Sequence, residues 1–135
     1  MGALTRMLRY LLDTHTLLWW LFDDPKLSQP ARSILSDRSN EVFVSSASAW
    51  EISTKYRIGK LQAASQLVKD IPGYVAKAGF KPLPITLKHA QHAGSWPNSH
   101  RDPFDRMLAA QSVLESLVLI TRDSALHDFD VSCFW

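Results

Sequence analysis

Four acids stand next to apolar segments in a way that could do chemistry. Asp13 follows Tyr10-Leu-Leu, Glu51 lies within Ala47–Arg57, Asp105 follows Asp102-Pro-Phe, and Asp123 follows Leu119-Ile-Thr-Arg. None has a cysteine or a pair of histidines nearby at zinc-ligand spacing. An oxygen-only donor set selects a hard cation, Mg²⁺ or Mn²⁺ rather than Zn²⁺. Two carboxylates ~4 Å apart repel by about 4 kcal/mol at an effective dielectric of roughly 20. Gathered acids therefore need raised pKa values, cationic partners or a bound metal. With a metal, such a set can activate water for in-line displacement at a phosphate.

Each acid taken alone also has an ordinary explanation. Helix N-termini attract acids through unsatisfied N–H groups and the helix dipole. Ser48-x-x-Glu51 and Asp102-x-x-Asp105 both have capping-box spacing, and Asp123 can cap a short helix over Ser124–Asp128. For one acid, capping is the commoner role; four acids on one sheet edge shift the balance toward a metal site.

The remaining candidates are supporting residues. Thr14 and Thr121 sit beside proposed ligands, where a hydroxyl can hydrogen-bond a carboxylate. Asp102 is a possible outer acid, although the N-cap role before Pro103 accounts for it. Lys55 is four residues after Glu51, the spacing of a helical ion pair or a phosphate contact. Arg57, Lys60, Arg101, Arg106 and Arg122 flank the acidic segments as a candidate RNA track. His100 precedes Asp102 and Asp105, but position alone does not separate an acid–base role from a loop hydrogen bond, so it stays outside the catalytic set. His15 reads as packing or surface, and His89 and His92 lack partner ligands.

These acids need elements to position them. Apolar runs with strand character fall at Tyr10–Leu12, Val42–Val44, Leu83–Ile85, Leu117–Ile120 and Val131–Phe134. Helical segments are expected at Thr14–Phe22, Leu27–Leu35, Ala47–Arg57, Ala63–Ala78 with a break at Pro72-Gly73, Thr86–Ala93, and from the Asp102 cap to Glu115. Alternating strands and helices imply an α/β fold with a central parallel sheet covered by helices. Asp13, Glu51, Asp105 and Asp123 all fall where segments end or begin at the carboxyl edge of such a sheet, the usual ligand-binding edge.

Composition sets the outer bounds. The 135 residues are 46% hydrophobic and 21% charged, consistent with one globular domain over 1–135, with residues 1–6 a dispensable extension if Met7 is the start. The single cysteine, Cys133, makes no internal disulfide, and a reducing cytoplasmic location is expected. The longest apolar run, Leu17–Phe22, is too short to span a bilayer. A net charge of +2 permits nucleic-acid binding without arguing for it.

Four segments resemble the PIN-domain ribonucleases, in particular the VapC-type toxins of type II toxin–antitoxin pairs. They are Tyr10-Leu-Leu-Asp13-Thr-His, the stretch Ser45–Leu61 containing Trp50-Glu51-Ile, His100-Arg-Asp-Pro-Phe-Asp105-Arg-Met-Leu-Ala-Ala-Gln111, and Leu119-Ile-Thr-Arg-Asp123. They come in family order over nearly all of the chain from about Met7. The resemblance implies a three-layer α/β/α fold and metal-dependent RNA cleavage, with Asp13, Glu51, Asp105 and Asp123 as ligands of Mg²⁺ or Mn²⁺. It also implies a homodimer and a cognate antitoxin. A second reading is a catalytically inactive PIN-like module that binds RNA or protein. A phosphoacceptor receiver domain fits poorly, since no acidic pair precedes an Asp at the end of the third strand and no Lys follows the last one.

Overall fold

The computed structural model describes residues 8–135; the expected N-terminal extension lies outside them. Five parallel strands form one sheet in the order β3-β2-β1-β4-β5: β1 Arg9–Leu12, β2 Glu41–Ser45, β3 Lys81–Leu83, β4 Val118–Ile120 and β5 Cys133–Phe134. The chain builds outward from β1 through β2 to β3, then crosses back to add β4 and β5 on the other side. The direction of winding reverses between β1 and β4, which opens a crevice at their carboxyl ends.

Side chains on the strands alternate between two cores, as a pleated sheet covered on both faces requires. Tyr10, Leu12, Val42, Val44 and Ile120 pack with one group of helices. These are α1 Thr14–Leu21, α2 Gln29–Ser36, α3 Ser46–Arg57 and α4 Ile71–Lys77. Leu11 and Leu119 point the other way, toward Leu108 and Ala109 of α6 Pro103–Glu115 and toward Leu126 and Phe129. Helix α5, Leu87–Ser95, packs on α6. Helices on both faces of a parallel sheet make the expected three-layer α/β/α architecture.

Some boundaries differ from the sequence expectation. The third strand is Lys81–Leu83 rather than Leu83–Ile85, because Phe43, Val44 and Ser45 of β2 pair with Lys81, Pro82 and Leu83. Pro82 is tolerated since β3 is an edge strand. The helix expected over Ala63–Ala78 is two short 3₁₀ turns, Gln62–Ala64 and Leu67–Lys69, followed by α4. Asp70 starts α4 by accepting a hydrogen bond from Gly73 N, so Pro72 lies in the first turn, where its missing N–H costs nothing. The last strand is only Cys133–Phe134, within the expected Val131–Phe134. No helix among the described residues is long and apolar enough to cross a membrane.

Candidate metal centre and nucleic-acid cleft

Asp13 ends β1 and precedes α1 at the crevice between β1 and β4. It is the N-cap by position, yet its carboxylate makes no capping hydrogen bond. Instead Oδ2 accepts from the Thr121 hydroxyl at 2.7 Å, and that hydroxyl oxygen accepts from Asp123 N at 3.0 Å. Asp13 N and the Thr16 hydroxyl both donate to the Ile120 carbonyl, at 3.1 and 2.9 Å. The end of β4 is thus tied to the end of β1 around one carboxylate. That carboxylate is 5% exposed, and burial raises its pKa against the opposing Thr121 hydrogen bond.

Glu51 sits in the second turn of α3. The Ser48-x-x-Glu51 capping box does not form, because Ser45 is the N-cap and accepts from Ala47 N. Ser48 is fully buried, and its hydroxyl bonds that of Thr14 at 2.9 Å, joining α3 to the start of α1. Glu51 is 5% exposed and pairs with Lys55 Nζ at 2.6 Å, the i,i+4 contact its spacing suggested. Its negative charge contributes to the raised pKa of Asp13.

Asp105 is likewise not engaged in capping. Asp102 caps α6 by accepting from Phe104 N and Asp105 N, which directs its carboxylate to the helix end. Asp105 Oδ2 meets His100 Nε2 at 2.9 Å. Its pKa is pushed up to about 6 by burial first, with the charges of Asp102 and Asp13 adding and His100 opposing. Asp13 is therefore within electrostatic reach of both Glu51 and Asp105, although more than 90 residues separate it from Asp105 in sequence.

Asp123 differs from these three. Its carboxylate is exposed and accepts from Ala125 N at 2.9 Å, capping the 3₁₀ turn Ser124–Phe129. It still lines a cleft of about 270 Å³ with Asp13, His15, Trp19 and Arg122. Arg122 lies over the Trp19 ring, 4.6 Å from its centroid.

An oxygen-only set of buried Asp13 and Glu51 with half-buried Asp105 suits a hard divalent cation by charge. As the side chains stand, each is held by its own partner: Thr121, Lys55 and His100. Among the described residues no group of three or more acidic, His or Cys side chains is arranged to hold a metal ion. Holding one would require Lys55 and His100 to give way.

Of the expected RNA track, Lys55, Lys60 and Arg122 border clefts next to Asp13, whereas Arg57 and Arg101 are exposed on the surface. Arg106 does not belong to such a track. Its guanidinium donates to the carbonyls of Ala93, Trp96, Asn98 and His100, pinning the segment before α6. His89 is a helix-start residue, forming a reciprocal capping box with Thr86 and meeting Glu115 at 2.8 Å. Sequence reasoning missed the partnership of Ser48 with Thr14. The available signal was the position of Ser48 three residues before Glu51, on the same helix face.

Residues 10–131 match the PIN domain family. The chain is 24% identical over 124 residues to Ribonuclease VapC22 of Mycobacterium tuberculosis (strain ATCC 25618 / H37Rv), covering 90% of this chain and 92% of that protein. It is 35% identical over 72 residues to Ribonuclease VapC16 of the same strain, a match spanning 50% of this chain and about half, 51%, of the relative. Its fold resembles VapBC2 from Rickettsia felis bound to a DNA fragment from its promoter, at a TM-score of 0.69 and 14% identity over 94% of this chain and 98% of that one. It also resembles DNA-bound VapBC from Salmonella typhimurium, at a TM-score of 0.66 and 20% identity over 95% and 98% of the two chains. With the family match running from β1 into the segment before β5, over the same elements that bring Asp13, Glu51 and Asp105 together, the chain belongs to the PIN domain family.

Proposed function

We propose that the protein is a divalent-metal-dependent endoribonuclease, the toxin of a toxin–antitoxin pair, which hydrolyses RNA phosphodiester bonds. The observation that carries this reading is the placement of two carboxylates only 5% exposed, Asp13 and Glu51, with the half-buried Asp105 near them: the charge of Glu51 acts on Asp13 and that of Asp13 acts on Asp105. The ribonuclease names of two relatives and the VapBC complexes among similar structures support the activity and an antitoxin partner. The protein is also read as a homodimer acting in the cytoplasm.

Asp13, Glu51 and Asp105 would hold the ion, with Asp123 at the rim of the cleft. Bound Mg²⁺ or Mn²⁺ would supply a deprotonated water and offset charge on the phosphate. Thr121 orients the Asp13 carboxylate by donating to Oδ2. Lys55 and His100, displaced from their acids, are positioned to contact phosphate oxygens. Arg122, held over Trp19, lies at the mouth of the cleft where an RNA backbone would pass.

Asp13→Asn tests the assignment directly. Cleavage of a broad RNA panel with Mn²⁺ or Mg²⁺ should fall by at least about 10²-fold, the cost of removing a group acting in the transition state. Unchanged circular dichroism would locate that loss at the site. Full activity in the variant would sink the assignment.

The individual pairing of every carboxylate favours a second reading, an RNA- or protein-binding module without catalysis. Calorimetric titration with Mn²⁺ separates the two. Binding accompanied by RNA cleavage supports the nuclease, whereas neither supports the module.

A further inference from the structure

Beside the acids lies a second cleft, of about 280 Å³, built from α1, α3 and the turn after α3. Its two kinds of lining are complementary. The half-buried Leu61 supplies the accessible apolar floor, backed by Leu18 and Ile52, which are buried in the main core, so this floor is fixed. His15, Lys55 and Lys60 supply a cationic or hydrogen-bonding rim. Gly59, with φ of 81°, ends α3 and turns the chain so that Lys60 and Leu61 fold back over the helix; Lys60 N donates to Lys55 O at 2.9 Å.

This cleft adjoins the Asp13 cleft. His15 lines both, and Thr14, the residue after Asp13, lines the second. An exposed imidazole thus stands between an apolar pocket with lysines and a cleft with carboxylates. On the other side, the His15 ring stacks on Trp19 at 5.8 Å between centroids and 25° between planes, and Arg122 lies over the same indole. The stack holds His15 in place without using Lys55 or Lys60.

We infer that the cleft formed by Leu18, Ile52, Leu61, His15, Lys55 and Lys60 is a nucleotide subsite, which takes one unstacked nucleotide flanking the bond to be cut in a single-stranded RNA. This rests on the ribonuclease reading of the adjacent acids. The base lies against the apolar floor and its phosphate meets Lys60, with Lys55 beside it still paired to Glu51, while the chain continues past His15 over Asp13 toward Arg122. An apolar floor suits the face of a base, and the ammonium rim suits a phosphate, neither of which the acidic cleft provides. A base lying on that floor has left its stack, so a duplex must open before it can occupy the subsite.

The test uses metal-free, full-length protein labelled with ¹⁵N, titrated with uridine 5′-monophosphate, adenosine 5′-monophosphate, uridine and inorganic phosphate. Both nucleotides are expected to shift the amides of Leu18, Lys60 and Leu61 with saturation, more tightly than either uridine or inorganic phosphate. Lys60 is exposed, so Lys60→Ala should leave the thermal midpoint unchanged while weakening nucleotide binding about fivefold. Lys60→Arg should retain most of that binding. Inorganic phosphate binding as tightly as the nucleotides, shifts confined to residues outside the cleft, or Lys60→Ala without effect would each overturn the subsite. RNA cleavage by wild-type protein is assayed in parallel with Mn²⁺. Nucleotide binding in the cleft without cleavage would uphold the subsite and overturn the nuclease reading instead.

Discussion

At the residue scale, the site places carboxylates where solvation is poor, and for Asp105 that has a measurable cost. The Asp105 pKa is raised to about 6, chiefly by burial. An acid whose folded pKa lies above its unfolded one destabilises the fold at pH above the folded value. The penalty declines as pH falls through that value and is absent below the unfolded pKa of about 4. Metal-free Asp105→Asn should therefore be more stable than the parent at pH 7.5, by roughly 1–2 kcal/mol once solvent screening is allowed for. The difference should vanish near pH 3.5. Urea melts at the two pH values check this, and a variant less stable than the parent at pH 7.5 would contradict it. The same substitution should abolish RNA cleavage, so stability and activity would move in opposite directions. Thr121 acts on the neighbouring acid. Thr121→Val deletes a buried hydroxyl that donates to Asp13 and accepts from Asp123 N, and should cost about 1–3 kcal/mol in a thermal or urea melt.

At the element scale, the two helices carrying Glu51 and Asp105 are fixed by different devices. Ser45 caps α3, so Glu51 is a turn further along than a capping box would have put it, and it is available to the crevice. Helix α6 begins at an Asp102 cap with Pro103 behind it, and Arg106 from its first turns reaches back to hold four carbonyls of the preceding segment. His100 lies in that segment, so the partner of Asp105 is positioned through Arg106. Arg106→Ala should cost about 2–4 kcal/mol, because buried carbonyls lose a charged donor. It should also raise amide hydrogen exchange at residues 96–101 well before global unfolding. Exchange at those amides unchanged from the parent would show that the segment holds without it.

At the scale of the whole molecule, the site depends on a strand order that places β1 beside β4. Leu11 and Leu119 are neighbours in register and fully buried in the core between the sheet and α6. Leu11→Ala should cost about 3–4 kcal/mol, since the central strand is poorly placed to collapse around the cavity. A loss below 1 kcal/mol in urea melts would mean that the sheet repacks freely there.

The alternation of apolar strands and helices was legible in the sequence, because its periods are set by local geometry. So were the Asp102-Pro103 start of α6 and the i,i+4 pairing of Glu51 with Lys55, both interactions within one helix. The edge-strand register was not, since pairing Pro82 with Val44 depends on a partner nearly 40 residues away. Arg106 was likewise read as part of the RNA track, because sequence spacing does not disclose which carbonyls a distant loop will present. The sequence by itself determined which acids were available and that they fall near the starts of helices or the ends of strands. Only the tertiary structure decided what each carboxylate does there. It buried Asp13 and Glu51, half-buried Asp105, set Asp13 within electrostatic reach of both, and turned Asp102 and Asp123 to caps. The physical reason is that capping is satisfied by the nearest backbone N–H groups, whereas convergence at the β1–β4 crevice follows from strand order and long-range packing.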